Sequence, residues 1–289
     1  MADVTIDQAF VQQFHDTLVS KFQQEGSVLE RAVSVQRGIV GDSDYVDILA
    51  ATAAAQIQSR HTDTNYTFQT HTRRKLSMVP WEVADLIDRP DKLKMLIDPT
   101  SDYIRNFSWA LGVAADNAVI AAARGNAYEG VTGGTPVALP SAQKIVHGSA
   151  SLTLGKVIAA KTKLDKANVS PRVPRYFIYY PDQLAYLLEN VTEIKNSQYV
   201  DSVRAMMDGV VTRFMGFEWI GCNLLPKATY RYNLAWAQPA MKLGWSQEII
   251  TRVDELPTKH YSTQAWAFCQ FGATRVLDEG VVEIECTEA

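Results

Sequence analysis

Cysteine is scarce in this sequence, and its scarcity argues against two classes of small protein. The chain of 289 residues has three cysteines, Cys222, Cys269 and Cys286, which are widely spaced and odd in number. A disulfide-stabilised scaffold needs paired cysteines, and a zinc knuckle needs closely spaced ones. We therefore expect reduced thiols, with neither a disulfide framework nor a structural metal.

Long apolar runs are missing as well. No stretch of 18 or more apolar residues occurs, and the N-terminus lacks the basic and apolar parts of a signal peptide. A membrane-spanning helix needs about 20 consecutive, mainly apolar residues. We therefore expect no membrane partner, and a protein that is made and at first kept inside a cell.

The sequence also lacks the common catalytic motifs. It contains no H-E-x-x-H, G-x-S-x-G or C-x-x-C, and no G-x-G-x-x-G after a strand-like segment. The glycine-rich segment 125–140 lacks the Gly-Lys-Ser/Thr of a phosphate-binding loop, so a turn or hinge is expected there. No catalytic residue, cofactor or metal is predicted. An α/β enzyme using His147 or the carboxylates between Asp85 and Asp98 stays open as an alternative.

The charge of the chain is mildly negative, at -4. A dedicated nucleic-acid binder normally carries a concentrated basic face, so this balance argues against one. The tight basic cluster Arg73, Arg74 and Lys75 is expected to contact another subunit rather than nucleic acid. The acidic group Asp85, Asp88, Asp91 and Asp98 is expected to be a solvated helix flank.

A long helix is the most clearly marked element. Its start is signalled by Thr100 or Ser101 as N-cap and by Asp102 in the first turn, and its end by Arg124 before Gly125. Apolar residues recur three and four positions apart on one face: Ile104, Phe107, Leu111, Ala114, Ala118 and Ala122. At about 1.5 Å per residue, the helix would be about 36 Å long and would act as a spine.

The N-terminal part of the chain has too little apolar surface to form a domain. Residues 3–40 hold two modest helical patterns, the first with Phe10 and Phe14 and the second between Val28 and Val35. We expect an arm that lies against another molecule.

Between residues 57 and 79, threonines alternate with other residues at period two, and Phe68 lies among them. This pattern predicts a long, projecting two-stranded hairpin.

The rest of the chain mixes helices and strands. Short helices are predicted over 81–96, at 152–164 with Lys156, Lys161 and Lys163 facing solvent, after Pro181, and over 201–208. A buried strand is predicted over 175–180, two strands around Gly216, and several more in the last 60 residues. The fold class is therefore α+β, with sheet strands contributed from both ends of the chain.

The order of these elements resembles that of the major capsid proteins of tailed bacteriophages with the HK97-type fold. The resemblance is most specific in RVPRYFIYYPDQLAYLLEN and MMDGVVTRFMGFEWIGCNLLP, which are similar to the family's arginine-bearing strand, proline, leucine-rich helix and glycine-bounded hairpin. It implies an HK97-like capsid fold with four parts. These are an N-terminal arm over 1–44, an E-loop hairpin over 45–80, a peripheral domain over 81–138 and 236–289 with spine helix 101–124, and an axial domain with a central mixed sheet over 139–235.

The resemblance implies a structural protein that self-assembles into an icosahedral phage head enclosing double-stranded DNA. Expected partners are copies of itself in hexamers and pentamers, separate scaffolding, portal and decoration proteins, and DNA contacted non-specifically. The expected location is the virion, after assembly in the cytoplasm of a bacterial host. An encapsulin-like compartment shell is the alternative within this fold. The candidates for intersubunit contact are Phe10, Phe14, Phe68, Arg73, Arg74 and Lys75.

Overall fold

The computed structural model describes residues 22–57, 59–60, 63–64, 66–88, 100–190 and 213–288. Phe10, Phe14, Asp91 and Asp98 lie outside the described residues, as does the helix predicted over 201–208.

The three α-helices of the described residues confirm the strongest helical predictions. They are α1 (Thr100–Arg124), α2 (Leu154–Lys166) and α3 (Pro181–Asn190). In α1, Asp102 lies in the first turn and Arg124 in the last, where each charge opposes the partial charge of the helix end. Helix α2 begins after Thr153, whose side chain accepts a hydrogen bond from the Lys156 backbone N–H.

Fourteen strands form the sheets of the described residues. In chain order they are β1 (Ser34–Arg37), β2 (Ser43–Leu49), β3 (His71–Ser77), β4 (Val79–Ile87), β5 (Ala127–Glu129), β6 (Thr135–Val137), β7 (Lys144–Ile145), β8 (Arg175–Tyr179), β9 (Arg213–Phe214), β10 (Phe217–Gly221), β11 (Arg231–Ala237), β12 (Met241–Leu256), β13 (Ser262–Arg275) and β14 (Val281–Cys286).

These strands pair into three sheets. A four-stranded sheet has the order β1-β12-β13-β4, a six-stranded sheet the order β7-β14-β11-β8-β10-β9, and a second four-stranded sheet the order β2-β3-β5-β6. The six-stranded sheet is mixed, because β8 and β10 are parallel whereas β11 is antiparallel to both β8 and β14. Strands from early and late parts of the chain therefore share sheets, as the sequence predicted.

Helix α1 lies on the long ribbon formed by β12 and β13. Its most buried apolar side chains are Leu111, Ala115, Val119 and Ala123. The predicted face shares Leu111 with this stripe, but Ala118 is only partly buried, so the true face is rotated by about one position. Burial of a leucine side chain contributes about 1.5–3 kcal/mol, which makes Leu111 a principal anchor of the helix.

A second core lies beside the six-stranded sheet. Helices α2 and α3 bury Val157, Leu164 and Leu187 there, together with Phe177 and Trp219 from the sheet. The rings of Phe177 and Trp219 stack with centroids 4.4 Å apart. This core holds the middle of the chain independently of α1.

Two helical predictions were wrong where the structure describes them, and residues 89–96 of the segment predicted as helical over 81–96 lie outside the described residues. Residues 79–87 form strand β4, in which Trp81 stacks on Phe271 and Val83 packs on the core, two positions apart as in a strand. The segment from Val28 to Val35 forms a short 3-10 turn followed by β1, which pairs in parallel with β12. In both places pairing with a neighbouring strand overrides a weak helical spacing.

Two predictions of detail were also wrong. Regular strand pairing in the threonine-rich hairpin is confined to 43–49 and 71–77, so the described residues between them are not in strands. In α2, Lys156 was expected to face solvent but is buried, whereas Ile158 is 43% exposed. The helix therefore turns a lysine toward the sheet.

Candidate functional site

The basic cluster lies at the root of the hairpin formed by β2 and β3. Lys75 pairs with Tyr45, Arg74 with Val46 and Arg73 with Asp47. Successive side chains along a strand point to opposite faces, so Arg73 and Lys75 share one face and Arg74 takes the other. The cluster is thereby divided between two environments.

Arg73 is on the exposed face of the hairpin. Its Nε donates a hydrogen bond to Asp47 Oδ1 at 2.6 Å, and its guanidinium lies 5.8 Å from the centroid of the Tyr45 ring. The hydrogen bond from Arg73 holds the pKa of the Asp47 carboxyl below its ordinary value. Both side chains are exposed, so water and dissolved salt screen the attraction between them.

Arg74 is used inside the subunit. Its side chain is buried, with Nη2 2.6 Å from Asp278 Oδ2 and Nη1 3.6 Å from Glu129 Oε2. Asp278 also accepts a hydrogen bond from the fully buried Arg275, at 2.6 Å. Asp278 therefore links the root of the hairpin to Arg275.

Arg275 in turn closes the C-terminal end of α1. Its Nη1 donates to the carbonyl oxygens of Ala123 at 3.1 Å and Gly125 at 2.7 Å, and its Nη2 donates to that of Val137 at 2.9 Å. The last carbonyl groups of a helix have no partner within the helix, and a cation there also opposes the helix dipole. Through Asp278 the end of the spine helix and the hairpin root form one polar network.

Lys75 packs its aliphatic chain against the turn between β5 and β6. A Cβ atom added at Gly133 would lie 2.4 Å from Lys75 Cδ, and Gly133 has φ +67°. Only glycine allows this approach without strain. The glycine-rich segment, predicted as a turn or hinge, is thus a short hairpin that supports the root of the longer one.

The hairpin tip carries large apolar side chains with little to cover them. Ile57 is 85% exposed, Tyr66 81% and Phe68 91%. Single exposed apolar residues are common on soluble proteins, but a group of large ones on one element is unusual.

The N-terminal segment is fixed to α1 by a buried aspartate that sequence reasoning missed. Asp116 is fully buried and accepts hydrogen bonds from the side chains of Gln24 and Ser27, both at 2.5 Å. It also accepts from the backbone N–H groups of Val28 at 2.9 Å and Leu29 at 3.1 Å. The signal was present, since Asp116 precedes the apolar Val119 and Ile120 by three and four positions, which puts it beside apolar side chains where an unpaired carboxylate would be costly.

Close backbone packing accompanies this carboxylate. A Cβ atom added at Gly112 would lie 2.6 Å from Gly26 Cα, so the segment crosses the helix at van der Waals contact. Further along, Trp236 Nε1 donates to the Ala32 carbonyl oxygen at 2.8 Å. The residues from Gln24 to Val33 therefore belong to the body of the subunit.

The residues of the enzyme alternative do not converge. Asp85 is exposed on β4, and Asp88 accepts a hydrogen bond from Ser262 Oγ at 2.7 Å. His147 stacks on Tyr230 with centroids 3.9 Å apart, and its Nδ1 accepts from the Ser149 N–H. Within the described ranges, no three His, Cys, Asp or Glu side chains are placed to hold a metal ion.

Among the helices that the structure describes, none has the length and apolarity needed to cross a membrane.

A spine helix lying on a long antiparallel ribbon, next to a mixed sheet and a hairpin with an exposed tip, is the architecture of a capsid subunit with the HK97-like fold. The structure resembles the capsid of Ralstonia phage GP4 (TM-score 0.76, 10% identity, covering 100% of this chain and 98% of that one). It also resembles the capsid of cyanophage P-SCSP1u (TM-score 0.75, 17% identity, 100% and 96% covered). A third similar structure comes from Mycobacterium phage Che8 (TM-score 0.72, 16% identity, 95% and 96% covered).

Sequence comparison identifies the family. The model of a family described as "Phage capsid protein" matches residues 6–288, so the chain belongs to that family. Comparison with curated proteins gave no match. The chain is thus a phage major capsid protein, a structural and non-enzymatic subunit of a shell, and its place is the virion capsid. The encapsulin-like and enzymatic alternatives are not favoured.

Proposed function

We propose that the chain assembles, as hexamers and pentamers, into an icosahedral head enclosing double-stranded DNA, and that the hairpin over 45–80 is the element that joins neighbouring subunits. The observation that carries this proposal is the exposed apolar tip with Ile57, Tyr66 and Phe68. Burying such side chains on the next subunit would contribute about 25 cal/mol for each Å² removed from water.

Charge at the hairpin root would set the register of that contact. Arg73 and Lys75 lie on one face, whereas Arg74 is occupied by Asp278, so the proposed intersubunit contact rests on the first two. Exposed acidic residues near the edge strand β4, such as Asp85, offer complementary charge. Such pairs influence encounter rate and orientation more than affinity.

The division into an N-terminal arm, E-loop, peripheral domain and axial domain is also proposed. The structure supports two adjustments to the expected boundaries. Residues 24–37, expected in the arm, pack on α1 and pair with β12, so they go with the body of the subunit. Strand β14 pairs with β11 and β7 in the six-stranded sheet, so residues 281–286 go with the axial part rather than with the rest of 236–289. The peripheral part then ends with β13.

Separate scaffolding, portal and decoration proteins, and assembly in the host cytoplasm, complete the proposal. The net charge of -4 supports a non-specific relation to DNA, because a wall that encloses packed DNA should not bind it tightly.

Replacing Phe68 tests the role of the hairpin. Phe68→Ser should abolish or strongly slow shell formation, measured by light scattering, while the subunit melts as the unchanged protein does. Val146→Ser, which alters another exposed apolar residue on the body, is the matched control and should assemble normally. Assembly of Phe68→Ser at the normal rate would remove the hairpin tip from the interface.

A further inference from the structure

Lys156 is a buried amine without a carboxylate partner among the described residues. Its Nζ donates hydrogen bonds to the carbonyl oxygens of Ala150 at 2.6 Å and Glu285 at 2.9 Å, and it lies 3.7 Å from Cys286 Sγ. Burial lowers the pKa of Lys156, which increases the share of neutral amine. A neutral amine is a nucleophile, whereas an ammonium ion is not.

Cys286 is held in place from a second direction. The thiol is fully buried at the end of β14, and Asn233 Nδ2 donates to Sγ at 3.3 Å. Asn233 Oδ1 accepts from the Tyr180 N–H at 3.1 Å, which fixes the amide so that its NH₂ group faces the sulfur. The sulfur and the Lys156 nitrogen are therefore kept facing each other inside the subunit.

The other two cysteines provide an internal comparison. Burial raises the pKa of all three thiols, to about 11 for Cys222 and Cys269, and at Cys286 the nearby Lys156 and the Asn233 amide oppose the rise. Of the three thiols, Cys286 is the one with a lysine amine at contact distance in the described part of the chain. The lysine therefore distinguishes Cys286 chemically.

We propose that Lys156 and Cys286 form an oxidative modification site, at which peroxide links Nζ to Sγ through one oxygen atom. In a first step, the sulfur attacks hydrogen peroxide, the O–O bond breaks, and a sulfenic acid and water form. The Lys156 nitrogen then attacks a second peroxide, whose O–O bond breaks, so that a hydroxylamine and another water form. Loss of a third water between the two hydroxyl groups forms the N–O–S bridge, so two peroxides accept four electrons in all.

The bridge would tie the first turn of α2 to the last strand of the chain. Lys156 and Cys286 are 130 positions apart in sequence, so the cross-link would close a long loop. A cross-link of this kind restricts the unfolded chain and raises the melting temperature. The modification would thus act as a covalent lock on the second core, reversible by a thiol reductant.

Mass spectrometry of the full-length protein treated with dilute hydrogen peroxide tests the proposal without any mutation. The bridge should add about 14 Da, one oxygen gained and two hydrogens lost. Trypsin should fail to cut after Lys156, so that peptide 145–161 is recovered joined to peptide 276–289. Treatment with dithiothreitol should separate the two peptides again.

Several outcomes would overturn the proposal. These are oxygen atoms added to Cys286 without a link, a link without the added oxygen, equal oxidation of all three cysteines, or no reaction. Cys286→Ser and Lys156→Arg should each lose the linked peptide, whereas Cys269→Ser should keep it. Protein unfolded in urea before peroxide is added should give no link, because the fold supplies the proximity.

Discussion

Among single side chains, Asp116 is the one that fixes the N-terminal segment to helix α1. It is the acceptor for the donors of the segment that crosses α1, including the buried N–H of Leu29. Replacement by alanine leaves those donors unpaired, and each costs about 1–3 kcal/mol. We expect Asp116→Ala to lower the free energy of unfolding in urea by about 2–5 kcal/mol.

The neighbouring Asn117 provides the control for this prediction. Its side chain is exposed on the same helix, so Asn117→Ala should change stability by less than about 0.5 kcal/mol. Equal effects of the two substitutions would show that the carboxylate does not hold the segment.

The lowered pKa of the Asp47 carboxyl predicts that the stability of the hairpin depends on pH. Because Arg73 lowers its pKa, the pair stabilises the hairpin above the ordinary carboxyl range, and that stabilisation is lost as pH falls through the lowered value. An NMR titration should find the Asp47 pKa below that of a model peptide. In Arg73→Gln the pKa should move back toward the ordinary value, and an unchanged titration would rule out the pairing.

Some side-chain roles could be predicted from the sequence and others could not. The exposed position of Arg73 agrees with its expected place on a projecting hairpin. The buried positions of Arg74 and Lys156 do not, because each depends on partners far away in sequence, Asp278 for the first and Cys286 for the second. A single sequence does not show which distant carboxylate or carbonyl will meet a buried cation.

Among the elements, the hairpin root has one residue expected to affect stability, Arg74, and two expected to affect assembly, Arg73 and Lys75. Arg74→Gln removes one member of a buried ion pair and should destabilise the subunit by about 2–4 kcal/mol. The double reversal Arg73→Glu and Lys75→Glu should leave the melting temperature nearly unchanged but slow assembly, measured by light scattering. The normal assembly rate should fall as salt passes about 0.15 M, where the screening length is about 8 Å.

The opposite results would contradict the assignment of Arg74 to the subunit interior and of Arg73 and Lys75 to the contact between subunits. If the double reversal unfolds the subunit, or if Arg74→Gln leaves stability unchanged, the two faces of the strand have been assigned wrongly.

Helix α1 was predicted correctly and strand β4 was not, for a physical reason. Helix α1 carries its start, stop and periodicity within 25 consecutive residues. Strand β4 was mistaken for a helix because Val83, Leu86 and Ile87 fit a helical spacing equally well. Its pairing with β13 decides the matter, and that partner lies about 180 residues further along the chain.

For the whole molecule, two N-terminal truncations distinguish the arm from the body. Removing residues 1–21 leaves Asp116 and its donors intact, so the subunit should still melt cooperatively while shell formation is lost. Removing residues 1–44 also deletes Leu29, Ala32, Val33 and strand β1, and should abolish the cooperative melt.

Circular dichroism and size-exclusion chromatography measure both truncations. Assembly of the shorter deletion into normal shells would show that residues 1–21 are dispensable. A cooperative melt after the longer deletion would show that the segment near Asp116 is not part of the core.

Electron microscopy of the purified, full-length chain tests the central claim most directly. A subunit with this fold and an uncovered apolar hairpin should form closed shells of uniform diameter, in which the hairpin of each copy, with Phe68 at its tip, contacts the neighbouring copy. Small discrete particles under all assembly conditions, or shells in which the hairpin tip contacts no neighbour, would contradict the account.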